Sequence, residues 1–444
     1  MTLALGLAVL SAAGCASVRN ARDAQDGTSI LDGERIASFA ESGIDTSAPV
    51  SVAQLESAAL RFSPALLQAR QGVILAQLGV KDVDSALIPT LDANAGYTLQ
   101  TSNYAPATET DWSLDDSINV GASLNWLLYD FGRTRAAARE AVQDLAAAEY
   151  GLAAAEDGVV YGVRRASFAL LRAIELYGVA LESESAYADH LQQMRDRFDV
   201  GAVNSYAVTK AAVDASNARL ASVTSSNAVL TCRANLDLAL GIAESPVFEL
   251  VASEMPDFSG RGVDDLMAVA RTTAPALAAA RANAEGARHA IDKTIADLYP
   301  SLGLSIQLTG SGSDDFLWNL IGAGNVAQSV FAAGRNRRAI DRAVANFRIA
   351  RSKAVQAELE LYNALSVAVL DGERARQQLE VALESERMAQ ENYDIVNERY
   401  EVGKASELER TDAQVALSSA KAATVSARYD SLDAQIAIAK LIGL

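Results

Sequence analysis

Ile88-Pro89-Thr90-Leu91-Asp92-Ala93-Asn94-Ala95-Gly96-Tyr97-Thr98-Leu99-Gln100 is the stretch that decides the fold, because the chain writes it twice. Its second version is Tyr299-Pro300-Ser301-Leu302-Gly303-Leu304-Ser305-Ile306-Gln307-Leu308-Thr309. In both, every second residue is apolar and its neighbours are polar or small, which is the period of a strand with one apolar and one polar face. Outward from this stretch the repetition continues. Ser63-Pro64-Ala65-Leu66 returns as Ala274-Pro275-Ala276-Leu277, which, like the strand, is offset by 211 residues. Downstream, Phe131-Gly132-Arg133 returns as Ala333-Gly334-Arg335, Arg197-Phe198-Asp199-Val200-Gly201 as Arg399-Tyr400-Glu401-Val402-Gly403, and Leu240-Gly241 as Ile442-Gly443, all offset by 202. The difference, 211 − 202 = 9, is one deletion between Leu302 and Gly334. The chain is a duplication of a unit of about 170–180 residues, and a repeat of that kind governs every later assignment.

Each copy carries a second alternating run after the first. Ile118, Val120, Ala122, Leu124, Trp126 and Leu128 alternate with Asn119, Gly121, Ser123 and Asn125, whereas the counterpart at about 317–330 alternates less cleanly. Each half is therefore expected to hold one hairpin of strands about ten residues long, joined by polar loops at about 101–116 and 310–316. Strands of about ten residues with an apolar outer face have the dimensions of a transmembrane β-barrel. Tyr97, Trp126, Tyr129, Phe131, Trp318 and Phe331 would suit its membrane interfaces. Four strands cannot close a barrel, and an open edge is not tolerated in lipid. Either the sheet is a soluble one or several chains share one barrel.

The helices discriminate between these. Residues 133–199 and 335–401 contain no proline, little glycine and many of the good helix formers. Each is 67 residues, roughly 100 Å of helix, a length that implies a coiled-coil-like assembly. Gly201 and Gly403 are expected as left-handed caps, followed by return helices over 206–241 and 405–441. Shorter helices over about 64–87 and 275–298 precede the hairpins.

A net charge of −18 and a pI near 4.6 argue against a nucleic-acid partner. His190 and His289 have no metal-ligand cluster around them and read as solvated helix residues. With no phosphate loop, nucleophile elbow or HExxH motif, the chain does not read as an enzyme, and no cofactor or metal is expected.

At the N-terminus, residues 2–14 are apolar or small and end in Leu10-Ser11-Ala12-Ala13-Gly14-Cys15. This resembles a bacterial lipoprotein signal of residues 1–14 with Cys15 as the lipidated residue. Ala12 stands where such boxes usually have Leu, and no Lys or Arg precedes the run. The alternative is an ordinary secretory signal with an incidental cysteine. Cys232, the other cysteine, lies in a helical stretch and reads as a small buried residue. Residues 15–50 read as a polar, lipid-anchored arm, 51–241 as the first helix–hairpin–helix repeat, 242–262 as a connector and 263–444 as the second repeat.

Taken in order, the duplicated helix–hairpin–helix plan resembles the outer membrane efflux protein family, the TolC-like channels, in its lipoprotein branch. Its marks are Pro89 and Pro300 at the helix-to-strand junctions, Gly132-Arg133 and Gly334-Arg335 at the strand-to-helix junctions, and Arg399-Tyr400-x-x-Gly403 followed by Asp412-Ala413-Gln414. The resemblance implies a mainly α chain with a transmembrane β-barrel portion in the Gram-negative outer membrane. Trimerisation would close twelve strands into the barrel and twelve helices into a periplasmic tunnel, since three chains bring four strands each. It implies a homotrimer coupled to a periplasmic adaptor and an inner-membrane transporter, serving as exit duct of an efflux pump or type I secretion system. It also implies a periplasmic gate ringed by acids six and nine residues after the turn glycine, here Glu409 and Asp412. The first repeat has Ala207 and Lys210 at those places, so Lys210 is expected to pair with Asp412 or Glu409 when the tunnel is shut. A structural envelope-spanning coiled-coil lipoprotein without a pore is the competing reading.

Overall fold

A computed structural model of the chain describes residues 39–45, 48–102, 113–243, 245–251, 256–312 and 317–443. Cys15 and the signal segment lie outside the described residues. The elements run β1 (Val50–Ser51), α1 (Val52–Phe62), α2 (Pro64–Ser85), β2 (Thr90–Ser102), β3 (Ser113–Tyr129), α3 (Arg133–Asp199) and α4 (Ser205–Leu240). The second repeat follows as β4 (Leu250–Val251), α5 (Val263–Thr273), α6 (Pro275–Ala296), β5 (Ser301–Gly312), β6 (Leu317–Ala327), α7 (Arg335–Glu401) and α8 (Glu407–Ile442).

Punctuation in the sequence sets these boundaries. Ser51 caps α1 through a capping box with Gln54, and the helix stops at Ser63, whose backbone is extended before Pro64. Ala274 does the same before Pro275. Proline then occupies the first position of α2 and of α6, where its missing N–H costs nothing. α3 and α7 are unbroken over 67 residues each, as their composition predicts. Both end in a Schellman arrangement. Gly201 has φ 73° and Ala202 N–H reaches back to Arg197 C=O; Gly403 has φ 72° and Lys404 N–H reaches Arg399 C=O.

The four long strands form one antiparallel sheet in the order β2-β3-β5-β6, with the two hairpins joined through β3 and β5. The register places like with like: Leu91 faces Leu124, Leu124 faces Ile306, Ala122 faces Leu308, and Leu308 faces Leu320. One apolar face therefore runs across the sheet, opposed by Asp92, Ser123, Gln307 and their neighbours. The first hairpin departs from expectation. β2 and β3 have 13 and 17 residues rather than about ten, because pairing continues to Ser102 and Ser113 through residues assigned to the loop.

Two compact units are built from both repeats. One comprises the described residues up to Pro64 and those within 162–254 and 381–429. It contains the parallel β1–β4 pair, and its core includes Leu55, Phe168, Met194 and Leu236, all 0 % exposed. Arg164 forks onto Glu56 at 2.7 and 3.3 Å there. The other comprises Ala65–Tyr161, Met255–Glu380 and Asp430–Leu444. It carries the sheet and a core of Leu266, Met267, Leu277, Leu365, Ile438 and Ile442. Among the described residues no helix is long and apolar enough to cross a membrane.

Candidate functional site

The junctions between sheet and helices lie in the sheet-bearing unit and repeat several backbone hydrogen bonds with different side chains. After α2 the chain tightens through Leu87 N–H to Asp84 C=O and Ile88 N–H to Ser85 C=O, then meets Pro89. After α6 it tightens through Leu298 N–H to Ile295 C=O and Tyr299 N–H to Ala296 C=O, then meets Pro300. Each helix end leaves orphan carbonyls. Trp126 Nε1 donates to Leu87 C=O at 3.0 Å, and Gln328 Nε2 donates to Leu298 C=O at 3.2 Å. These donors stand 202 residues apart and their acceptors 211, so the duplication extends to single hydrogen bonds.

The exits into α3 and α7 each use two consecutive left-handed residues, Phe131-Gly132 at φ 53° and 93°, and Ala333-Gly334 at φ 48° and 76°. Phe131 is held in that conformation by its ring, 4.8 Å from Tyr129 and 5.8 Å from Tyr299. Asp130 fastens the first exit. Its carboxylate accepts from Thr134 N–H at 2.7 Å, Thr134 Oγ1 at 2.5 Å and Gly132 N–H at 3.2 Å. Burial works to raise its pKa, but the Thr134 and Gly132 bonds and the Arg133 charge hold it below the usual carboxylate range. The second exit has Ala332 at the equivalent place.

The helix turns lie in the other unit. Asn204 caps α4 by accepting Ala207 N–H at 3.0 Å. Ser406 and Glu409 form a capping box at α8, with Ser406 N–H to Glu409 Oε2 at 2.6 Å and Glu409 N–H to Ser406 Oγ at 3.2 Å. That bond pattern lowers the Glu409 pKa. Glu409 and Asp412 are both exposed on α8. Lys210 pairs with Asp214 at 3.0 Å, one turn along its own helix.

Behind these turns sits a polar cluster that the sequence reading missed. His190 is 3 % exposed, not solvated. Its Nδ1 lies 2.6 Å from Arg410 Nη1 and its Nε2 3.5 Å from Glu407 Oε1. Arg410 also donates to Asn397 Oδ1 at 2.9 Å and lies over the Tyr400 ring, as does Arg197, whose Nη1 reaches Tyr400 Oη at 3.0 Å. His190 shares a helix face with Ala186 and Met194, a spacing that marks it as inward. His289 is also more enclosed than expected, with its side chain 12 % exposed. Cys232 is half-buried rather than buried. Among the described residues no group of side chains is placed to hold a metal ion.

The repeats coincide with a family. The description "outer membrane efflux protein" matches residues 55–242 and 266–444, which are the two halves of the duplication. The chain belongs to the outer membrane efflux protein family. It is 26 % identical over 396 residues to the pyoverdine export outer membrane protein OpmQ of Pseudomonas aeruginosa, covering 83 % of this chain and 80 % of that one. Among solved structures, CusC superposes with a TM-score of 0.77 at 18 % identity, covering 88 % of this chain and 91 % of CusC. The CmeC outer membrane channel of Campylobacter jejuni superposes with a TM-score of 0.75 at 19 % identity, covering 94 % and 90 %. The likeness to these two channel structures is one of fold, that of a mainly α chain with long helices.

Proposed function

We infer that this chain is the outer-membrane exit duct of an efflux system and that three copies close its barrel. The observation that carries the reading is the sheet. It has a continuous apolar face and two edges, β2 and β6, with no partner strand among the described residues. All of β6 is exposed, with Leu317, Trp318, Leu320 and Val326 at 61–74 %. In lipid each unpaired backbone group costs several kcal/mol, so the edges must pair with further copies. A spacer without a pore has no need of a polar face backed by an apolar one. Conduction through such a duct is passive in this reading, with the energy supplied by the partner transporter.

The periplasmic gate belongs at the helix turns. Asp412 is the freer of the two acids, because Glu409 is already engaged by Ser406 N–H. In a trimer these carboxylates form two stacked rings favouring cations. Lys210, held by Asp214 within one chain, would have to exchange that partner to reach Asp412 or Glu409 of a neighbouring helix pair. A periplasmic adaptor and an inner-membrane transporter complete the path, and Cys15 supplies a lipid anchor. OpmQ is a pyoverdine export protein; the transporter that joins this duct selects its own cargo. Single-channel recording in planar bilayers tests the reading. Discrete conductance steps are expected, and a purified, membrane-inserted protein that never conducts would favour the structural lipoprotein.

A further inference from the structure

The cluster around His190 joins four helices with one imidazole at its centre. From α8 come Arg410 and Glu407, from α7 Tyr400 and Asn397, and from α4 the Lys210–Asp214 pair. α3 itself supplies His190, Tyr187 and Arg197. Arg410 can only donate, so the 2.6 Å contact requires His190 Nδ1 to be an unprotonated acceptor. The same ring then carries its hydrogen on Nε2 and offers it to Glu407. The neutral imidazole is thus the piece that lets a guanidinium, an aromatic ring and a carboxylate occupy one enclosed space. A cavity of about 10 Å³, lined by Tyr187, Arg410, Thr411 and Gln414, touches the ring and gives a proton somewhere to enter.

We propose that His190 is an acid-sensitive latch on the helix turns: protonation at Nδ1 expels the Arg410 guanidinium and frees the start of α8 from α3. The proposal rests on the exit-duct reading, in which these turns form the periplasmic closure. The balance of charges fixes the direction. Arg410 and Lys210 oppose the imidazolium, Glu407 favours it, and Asp214 is occupied by Lys210. Desolvation first, then Arg410 and Lys210, bring the pKa below the ordinary value of 6.5 despite Glu407. A group depressed in the packed state binds fewer protons there than when released. The latch therefore holds above about pH 6.5 and weakens as pH falls below it. Arg410, once expelled, keeps its stacking on Tyr400 available to a rearranged α8.

The chain has only two histidines, so histidine-selective isotope labelling reads the switch directly. Magic-angle-spinning NMR of the full-length protein in lipid should show one imidazole, absent in His190→Gln, that titrates below pH 6.5 and loses its Nδ1 hydrogen bond as it does. Conductance in planar bilayers should rise several-fold as the pH falls from 7.5 to 5.5. His190→Gln, whose side-chain oxygen can still accept from Arg410, should conduct at pH 7.5 like the unmodified protein and lose that rise. A His190 ring that stays neutral through pH 5, or a titration that leaves conductance flat, overturns the latch while leaving the duct intact. A pH response unchanged in His190→Gln also overturns it. Absence of conductance at every pH would instead remove the exit-duct reading itself.

Discussion

Asp130 shows how much one residue can decide at a junction. The turn it closes places Phe131 in a left-handed backbone that costs roughly 1–2 kcal/mol. Three hydrogen bonds to its carboxylate offset that cost. Asp130→Ala should lower stability by about 1–2 kcal/mol, the range of a lost helix cap, seen as an earlier thermal transition by circular dichroism. Because the Asp130 pKa is depressed, its contribution is present above the unfolded value near 4 and is lost as pH falls through the lower folded value. The difference between Asp130→Ala and the unmodified chain should thus be full at pH 7 and shrink in strong acid. Glycines make a second residue-scale contrast. A Cβ on Gly241 would sit 2.9 Å from Phe62 C=O, whereas one on Gly201 meets nothing within 4 Å. Both have positive φ, so both alanine variants are strained, but Gly241→Ala should melt clearly lower than Gly201→Ala. The opposite sign is expected at Gly372 inside α7. There a Cβ would meet Ile438 and Ala434 at ordinary contact distance, and Gly372→Ala should gain about 0.5–1 kcal/mol.

At the scale of elements, legibility followed punctuation. Pro64, Pro89, Pro275 and Pro300 break the chain by a local steric rule, and Gly201 and Gly403 end helices by another, so α2, α3, α6 and α7 were readable to within a residue or two. β6 was harder for a reason the register now gives. Its apolar-face positions include Gly322 and Gly324, and its other face holds Leu317, Ile321 and Ala323, so the alternation is blurred from both sides. β2 and β3 outran their predicted ends because pairing, not composition, carries them to Ser102 and Ser113. Side-chain partners were least readable. Ser406 and Glu409 have the spacing of a capping box, but the sequence reading assigned Glu409 only to the gate. His190 looked solvated because nothing in its local sequence announces Arg410, which is 220 residues away. Its place on the Ala186–Met194 face was the available signal. The gate carries its own prediction: Glu409→Ala with Asp412→Ala should reduce cation preference and divalent-cation block in single-channel recordings. Unchanged selectivity and block would place the constriction elsewhere. Cys15→Ser should likewise abolish acyl labelling while leaving insertion to the barrel.

For the whole molecule, the duplication and the open sheet lead to one requirement. Among the described residues the two repeats supply four strands with an apolar face and two edges without a partner strand, and in lipid such edges would need further copies to pair with. Three copies are the number we propose, since three chains of four strands would make a closed barrel of ordinary size. The internal symmetry would suit that number: with two nearly equivalent repeats per chain, a threefold ring would approximate a sixfold one. Native mass spectrometry of the detergent-extracted protein tests this most directly. The account predicts a single species of three chains retaining its full β content; a stable monomer with that same β content would contradict it.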